Sequence, residues 1–210
     1  MRADRREGSL CLKSHALAKW AAGHLGSIEH ERRVAAIASR LFQLIHRLHD
    51  LAGEDLRLLR MAALVHDVGR AIDDQTHPQQ GAAMLQRDAD LPLSGGERRA
   101  LAYLTRWHRG RVPEVGRDGI LRRKDDVARL RLILALLRAA DALDGRQLES
   151  PRMTMSLRGR RLCITCQLNH DSAKARRVYG RKKKFRLLEE LLGCRVEVEL
   201  AVARPMRRVA

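Results

Sequence analysis

Aromatic residues are scarce in this sequence, which has two Trp, two Tyr and two Phe among 210 residues. Because proteins that bind single-stranded nucleic acids stack the bases on aromatic rings, this scarcity disfavours such a binding platform. Long apolar runs are missing as well. The longest, residues 132–137, ends at Arg131 and Arg138 and is far shorter than the roughly 20 residues of a membrane span. We therefore expect no membrane-spanning helix.

The N-terminus also lacks the features of a secretory signal, because five of its first seven residues are charged and no apolar segment follows them. We therefore expect a cytoplasmic protein. In that compartment the four cysteines stay reduced and behave as small hydrophobes. Cys163 and Cys166 form a C-x-x-C without a second ligand pair at zinc-site spacing, and in a strand they would face opposite sides. This pattern disfavours a metal site there.

Positive charge is abundant: 42 Lys and Arg residues against 25 Asp and Glu residues give a formal net charge of +17. The excess is concentrated in residues 151–210, which hold 16 basic and 5 acidic residues. Such a charge attracts polyanions, so the basic tail is a candidate contact for nucleic acid or polyphosphate. For the run Lys182–Lys184 the alternative is the solvated face of a helix whose buried face carries Phe185, Leu188 and Leu191.

Apolar periodicity predicts a mainly helical protein. Helices are expected over 29–49, about 54–68 with Gly69 as the stop, 81–87 with Pro78 in the first turn, and about 127–143 after a cap at Asp125 or Asp126. A capping box of Ser94 and Glu97 predicts one more, ending near residues 108–110.

The pattern changes after Gly145, where alternating residues predict a different architecture. Segments 153–157 and 162–168 read as a β-hairpin, 182–192 as a helix, and 195–202 as a strand. The expected fold is thus a helical bundle with a small C-terminal α/β subdomain. We divide the chain into a helical lead-in (1–27), a helical domain (28–147) and a small basic α/β subdomain (148–210).

Asp141 continues a helical stripe of leucines, at positions 130, 134 and 137, which predicts that its carboxylate is buried. A buried carboxylate needs a cation, and the pattern leaves open whether this is a metal ion or Arg138 one turn away; a capping role is the third reading. Asp144 is a weaker candidate, because it adjoins Gly145 and is expected nearer to solvent.

His66 and Asp67 come at the end of the most apolar helix. The helix dipole disfavours a negative charge at a helix C-terminus, so the Asp67 carboxylate is destabilised there unless a positive charge lies nearby. A metal ion would do so, and imidazole with carboxylate suits Mn, Fe or Zn. The alternative is a satisfied core histidine beside an acid that ends a helix.

The order of these residues resembles the HD superfamily of metal-dependent phosphohydrolases over residues 28–144. The motif H…HD…H…H…D is carried by His30, by residues 62–70 (AALVHDVGR), by His77, by residues 106–109 (RWHR) and by residues 138–144 (RAADALD). Segments 101–110 and 137–144, with the hairpin, helix and strand that follow, resemble the C-terminal region of the exopolyphosphatase and guanosine pentaphosphatase family.

The resemblance implies that His30, His66, Asp67 and Asp141 hold one metal ion, and that Asp67 bridges to a second ion held by His77 and His108. One or two divalent transition metals (Mn, Fe, Co or Zn) would then activate a hydroxide, with Asp67 as the catalytic bridge. Arg70, Arg109 and Arg111 flank these positions and are candidate phosphate-binding residues. The alternative interpretation is that these three arginines lie on the solvated surface and bind no ligand.

Exopolyphosphatases of this kind also carry actin-like ATPase-type domains, for which 210 residues leave no room. Because the full ligand set is present, we expect a stand-alone phosphohydrolase that cleaves a phosphate ester or anhydride, such as a nucleotide, an alarmone or polyphosphate. The rival hypothesis is a non-enzymatic, polyanion-binding regulatory module. No membrane partner is expected, and a homodimer is left open.

Overall fold

The structure is a computed structural model that describes residues 2–122, 125–146, 151–168, 173–180 and 182–202. The helical part comprises α1 (Arg2–Leu25), α2 (Glu29–Leu44), α3 (Gly53–Val65), α4 (His77–Arg87), α5 (Gly95–Trp107) and α6 (Val127–Asp144). The C-terminal part comprises β1 (Arg152–Arg158), β2 (Arg161–Leu168), α7 (Ala173–Tyr179), α8 (Arg186–Leu192) and β3 (Arg195–Val202). This arrangement confirms the predicted fold class. The expected boundary between the last two domains falls at residues 147–150, outside the described ranges.

Helix α6 lies at the centre of the bundle, because its sequence is apolar on most of its circumference. It packs against α2, α3 and α5, and its C-terminal half also meets α7 and α8 of the small subdomain. Its buried leucines include Leu130, Leu134 and Leu137, and Asp141 follows them into the interior. Within the described residues, no helix has both the length and the apolar character that crossing a membrane requires.

The three strands form one sheet in the order β1, β2, β3. β1 and β2 pair as the expected antiparallel hairpin, and β3 pairs in parallel with β2 after the α7 and α8 crossover. Alternate residues of β2 face the core, and Cys166 is buried on that side while Cys163 points to the other. Both thiols are free.

Local signals in the sequence set two of the helix starts. The hydroxyl of Ser94 accepts a hydrogen bond from the Glu97 N–H (3.3 Å), and the Ser94 N–H donates to the Glu97 carboxylate (2.7 Å), which confirms the capping box. The carboxylate of Asp126 caps α6 by accepting from the Arg129 N–H at 3.0 Å. At the other end of α6, Gly145 adopts a left-handed φ of 55°.

Three predicted features of the secondary structure are wrong. The helix expected over 29–49 ends at Leu44, and a short 3₁₀ turn, His46–Leu48, follows it. Gly69 does not stop a helix, since α3 ends at Val65 and Gly69 lies in a short 3₁₀ turn, Val68–Ala71. Its role is close packing: a Cβ there would lie 2.1 Å from the His77 carbonyl oxygen and 2.5 Å from the Gly81 nitrogen. The segment 182–192 is likewise not one helix, because a 3₁₀ turn over Lys182–Lys184 precedes α8, and α7 was not predicted.

Candidate metal centre

Six side chains from different elements meet at one end of the bundle. His30 comes from the first turn of α2, His66 and Asp67 follow α3, His77 begins α4, His108 follows α5, and Asp141 lies in the last turn of α6. All six are buried. The close approach of Gly69 to the α4 backbone holds the turn after Asp67 against the turn that carries His77.

Asp67 lies between two pairs of histidines. Its Oδ1 is 3.0 Å from His77 Nε2 and 3.1 Å from His108 Nε2. Its Oδ2 is 3.8 Å from His30 Nε2 and 3.7 Å from His66 Nε2. Asp67 with each pair forms a group whose ligand atoms all lie within 4.8 Å of one another. A single carboxylate is therefore shared by two sets of metal-ligand atoms.

Asp141 extends the first of these groups. Its Oδ1 is 3.5 Å from His30 Nε2 and 3.7 Å from His66 Nε2. Arg138, the alternative partner considered for this carboxylate, instead donates to the Gly110 carbonyl at 2.8 Å. The structure thus places Asp141 with the histidines.

The far nitrogen of each imidazole is held by a hydrogen bond. The Nδ1 atoms of His66, His77 and His108 donate to the carbonyl oxygens three residues earlier, at 2.7 to 2.8 Å. His30 Nδ1 donates to Asp144 Oδ2 at 2.5 Å. These bonds fix the tautomer, so the Nε2 lone pairs face the centre, which is the usual way that a protein orients histidine ligands.

Asp144 is fully buried, contrary to the expectation that it lies nearer to solvent. Besides His30 it accepts a hydrogen bond from Arg33 Nε at 2.7 Å. Burial opposes its ionisation, but hydrogen bonds from His30 and Arg33 outweigh burial and lower its pKa. It therefore acts as the carboxylate that orients His30.

The centre is rich in hydrogen-bond acceptors and poor in donors. His30 Nε2, His66 Nε2 and Asp67 Oδ1 are buried atoms without a hydrogen-bond partner. When Nδ1 carries the imidazole proton, each Nε2 is an acceptor that faces carboxylate oxygens, which is unfavourable unless a cation lies between them. Neutral imidazoles and carboxylates are ligands that suit Mn, Fe, Co or Zn. The residues present therefore fit a divalent transition metal.

The pKa values of these groups reflect how closely the carboxylates and imidazoles lie to one another. Burial opposes the charge of Asp67, but a positive charge on His66 and the close approach of the His108 and His77 rings hold its pKa well below its usual range. Burial alone would lower the pKa of His66, and the nearby carboxylates of Asp67 and Asp141 raise it to about 9. The carboxylates thus stay ionised and favour a positive charge beside them, which is a proton on His66 when no metal ion is bound. A metal ion would replace that proton and use the neutral imidazole as its ligand.

Three cationic side chains contact the two carboxylates of the cluster. Arg70 Nε is 2.9 Å and Arg146 Nη2 is 2.6 Å from Asp67 Oδ2. Lys184 Nζ is 2.7 Å from Asp141 Oδ2. Of these residues, sequence reasoning selected Arg70 and missed the role of Arg146 and Lys184.

Arg146 has an unusual backbone. Its φ of 54° lies in the left-handed region, where no other non-glycine residue of the described chain is found. That conformation costs an L-residue roughly 1 kcal/mol, and it directs the guanidinium to both Asp67 and the buried Glu31, 2.8 Å away. A sequence signal existed in the Gly145 stop, which predicts a turn but not the direction of the next side chain.

A small pocket of about 70 Å³ opens beside the cluster. The polar side chains that line it come from both parts of the chain: Asp67, Asp141, Arg70, Arg109, Arg146 and Lys184. Arg111 is exposed and does not line this pocket. Two of the three arginines selected from sequence therefore lie where an anion would approach the cluster.

In a comparison with protein families, residues 16–179 match the model described as Ppx/GppA phosphatase, domain III. The matched segment contains all six residues of the cluster and ends before Lys184. It covers more than three quarters of the chain and confirms the resemblance seen in the sequence. The protein belongs to the Ppx/GppA phosphatase domain III family.

Proposed function

We propose that this chain is a metal-dependent phosphohydrolase that cleaves a phosphate ester or anhydride. His30, His66, Asp67 and Asp141 would hold one divalent transition metal ion, and Asp67, His77 and His108 a second. The observation that carries this proposal is the convergence of four imidazole Nε2 atoms and two carboxylates in a buried cluster whose outward Nδ1 atoms are all bonded. A core stabilised by ordinary hydrogen bonds would not place this many acceptors together.

When bound, such ions lower the pKa of a coordinated water and neutralise charge on phosphate oxygens. The chain itself contributes orientation and charge. The Asp144 carboxylate holds the ring of His30, and backbone carbonyls hold the other three rings. Arg70 and Arg109 line the pocket and offer guanidinium groups to a phosphate. The burial of Asp67 strengthens its electrostatic interactions with the charges around it.

The pocket also limits the kind of group that reaches the cluster. Its volume is small and its lining is strongly cationic, so it suits a phosphoryl group better than a nucleobase or another bulky apolar moiety. A nucleotide, an alarmone and polyphosphate all present such a group. The substrate class we propose is therefore defined by its phosphate end.

Metal analysis of the purified protein combined with hydrolysis of p-nitrophenyl phosphate and a panel of phosphorylated metabolites tests this proposal. Asp67→Asn should lose both bound metal and activity, because it removes the charge shared by the two ligand groups. Asp90→Asn is the matched control, since Asp90 is exposed and lies outside the cluster, and it should behave as wild type. Absence of metal and activity after reconstitution with Mn, Fe, Co and Zn would refute the proposal.

A second candidate function is the binding of a polyanion without catalysis. A groove of about 680 Å³ at one end of the sheet is lined by Arg158, Arg160, Arg161 and Arg195, with Glu197 as its one acidic residue. The side chains of Arg161 and Arg195 are 59% and 75% exposed. This surface belongs to the predicted basic tail and could attract polyphosphate or nucleic acid.

Salt-dependent binding distinguishes the two candidates. Binding to polyphosphate or RNA that survives Asp67→Asn but is lost in the double variant Arg161→Gln, Arg195→Gln would favour the polyanion-binding module. Within the run Lys182–Lys184, neutralising the exposed Lys183 alone is a second test, because Lys184 contacts Asp141 and belongs to the other site. Binding that follows metal content instead would favour the hydrolase.

A further inference from the structure

The three cations at the mouth of the cluster differ in what else they contact. Arg70 also pairs with Asp74, and Arg146 also pairs with Glu31. Lys184 has Asp141 as its one carboxylate partner within the described part of the chain. If metal ions bind the carboxylates of the cluster, the two arginines still have another carboxylate partner, whereas Lys184 has none among the described residues.

Moving the Lys184 ammonium group away from the site would nevertheless cost free energy. Its side chain is 24% exposed, and the adjoining Phe185 is buried in the core, which anchors this part of the backbone beside α6. The lysine lines the same pocket as Arg70, Arg109 and Arg146. A partly buried ammonium group that has lost its carboxylate is unfavourable until another anion meets it.

The charges around the pocket indicate which anion that is. Its lining holds four cationic side chains against the two carboxylates of Asp67 and Asp141. A phosphate dianion balances this excess of two positive charges. When metal ions bind the two carboxylates, the net positive charge of the pocket rises further, and this favours the binding of an anion more strongly.

We propose that Lys184 is a phosphate-binding residue whose ammonium group is exchanged between Asp141 and the phosphate oxygens of the ligand. The proposal rests on the phosphohydrolase function proposed above. In the metal-free protein Lys184 neutralises Asp141, and in the metal-loaded protein it is released to bind phosphate. Metal and phosphate therefore bind cooperatively, and the small α/β subdomain contributes a residue to a site otherwise built by the helical domain.

This exchange has a measurable thermodynamic signature. If phosphate increases the affinity for the metal, then the metal must increase the affinity for phosphate by the same factor, and couplings of this type are typically fivefold or more. We expect a coupling of about tenfold in the wild-type protein. Without the Lys184 ammonium group, metal binds more tightly in the absence of phosphate, because a competing cation is gone, and the coupling falls below the wild-type value to the part that direct attraction between metal and phosphate supplies.

Calorimetric titration of Mn²⁺ into the metal-free protein, with and without inorganic phosphate, tests this. The variants are Lys184→Met and, as the matched control, Lys183→Met, which removes the same charge from an exposed neighbour. Lys183→Met should retain the wild-type coupling. Thermal unfolding of each variant establishes that it is folded before the titration.

Two results would overturn the inference while leaving the proposed function intact: Mn²⁺ and phosphate that bind the wild-type protein independently, or Lys184→Met with the wild-type coupling. The first does not depend on any variant and so stands even if Lys184→Met fails to fold. If the wild-type protein binds no Mn²⁺ and hydrolyses no phosphoester with any metal, the proposed function fails and the inference fails with it.

Discussion

Replacing Gly69 with alanine should both destabilise the fold and disturb the candidate metal centre. The added Cβ would lie 2.1 Å from the His77 carbonyl oxygen and 2.5 Å from the Gly81 nitrogen, whereas carbon atoms in contact are normally 3.5 Å or more from their neighbours. Both obstacles are backbone atoms of α4, so the clash is relieved only if the first two turns of α4 and the 3₁₀ turn that carries Gly69 move apart by roughly 1 Å. The first turn of α4 carries His77, one of the cluster's ligands.

The expected cost follows from the packing. Overpacking of a core typically lowers the free energy of unfolding by 1–3 kcal/mol. Because the obstacles here are backbone atoms, we expect the upper end of that range, about 3 kcal/mol. For a chain of this size that corresponds to a melting temperature lower by roughly 6–12 °C. Because His77 belongs to the second ligand group and Asp67 is shared, we also expect fewer metal ions per chain.

Thermal and urea unfolding with metal analysis measures both effects. Gly23→Ala is the control: no atom lies within 4 Å of its added Cβ, and the position is inside α1, so it should be neutral or stabilising by up to about 1 kcal/mol. A Gly69→Ala protein as stable as wild type, with the same metal content, would show that the 3₁₀ turn and α4 are not packed as described.

Three further predictions concern other parts of the molecule. Burial raises the pKa of Cys166 to about 11, so its thiol should resist Ellman's reagent in the native protein; Cys163→Ser should lower the number of reactive thiols by one, and Cys166→Ser should leave it unchanged. Asp144→Asn should weaken metal binding about 10- to 100-fold in a chelator competition, because it loosens the histidine of α2, and an unchanged affinity would contradict its orienting role. Burial opposes ionisation of Glu97, but hydrogen bonds from Lys13 and the helix cap lower its pKa. The ionised Glu97 carboxylate should therefore contribute about 1 kcal/mol to the free energy of unfolding at any pH above its unfolded-state pKa of roughly 4.3. This contribution is lost as the pH falls through the lower pKa of the folded state. The difference in stability between wild type and Glu97→Gln should therefore vanish in acid.

Features that depend on near neighbours in the chain could be predicted from the sequence. The Ser94 capping box joins residues three apart, and the helical stripe that leads to Asp141 is a periodic pattern, so both follow from sequence alone. Gly69 was misjudged because its constraint is imposed by backbone on another helix, which no local pattern reports. Lys184 was assigned to a charged run for the same reason: the carboxylate that it contacts lies 43 positions earlier.

The way in which the cluster is neutralised distinguishes the proposed metal centre from a structural metal site. Proteins that fold around a structural zinc ion unfold without it, because their ligands have no other partner. Here Arg70, Arg146 and Lys184 already neutralise the carboxylates, and backbone carbonyls satisfy three of the four imidazole Nδ1 atoms. What remains unsatisfied is Nε2 of His30 and of His66 and Oδ1 of Asp67, whose cost is local and is removed when a cation binds. A chelator should therefore lower the melting temperature without unfolding the chain, and the folded, metal-free protein should bind the ion again, as a catalytic site requires.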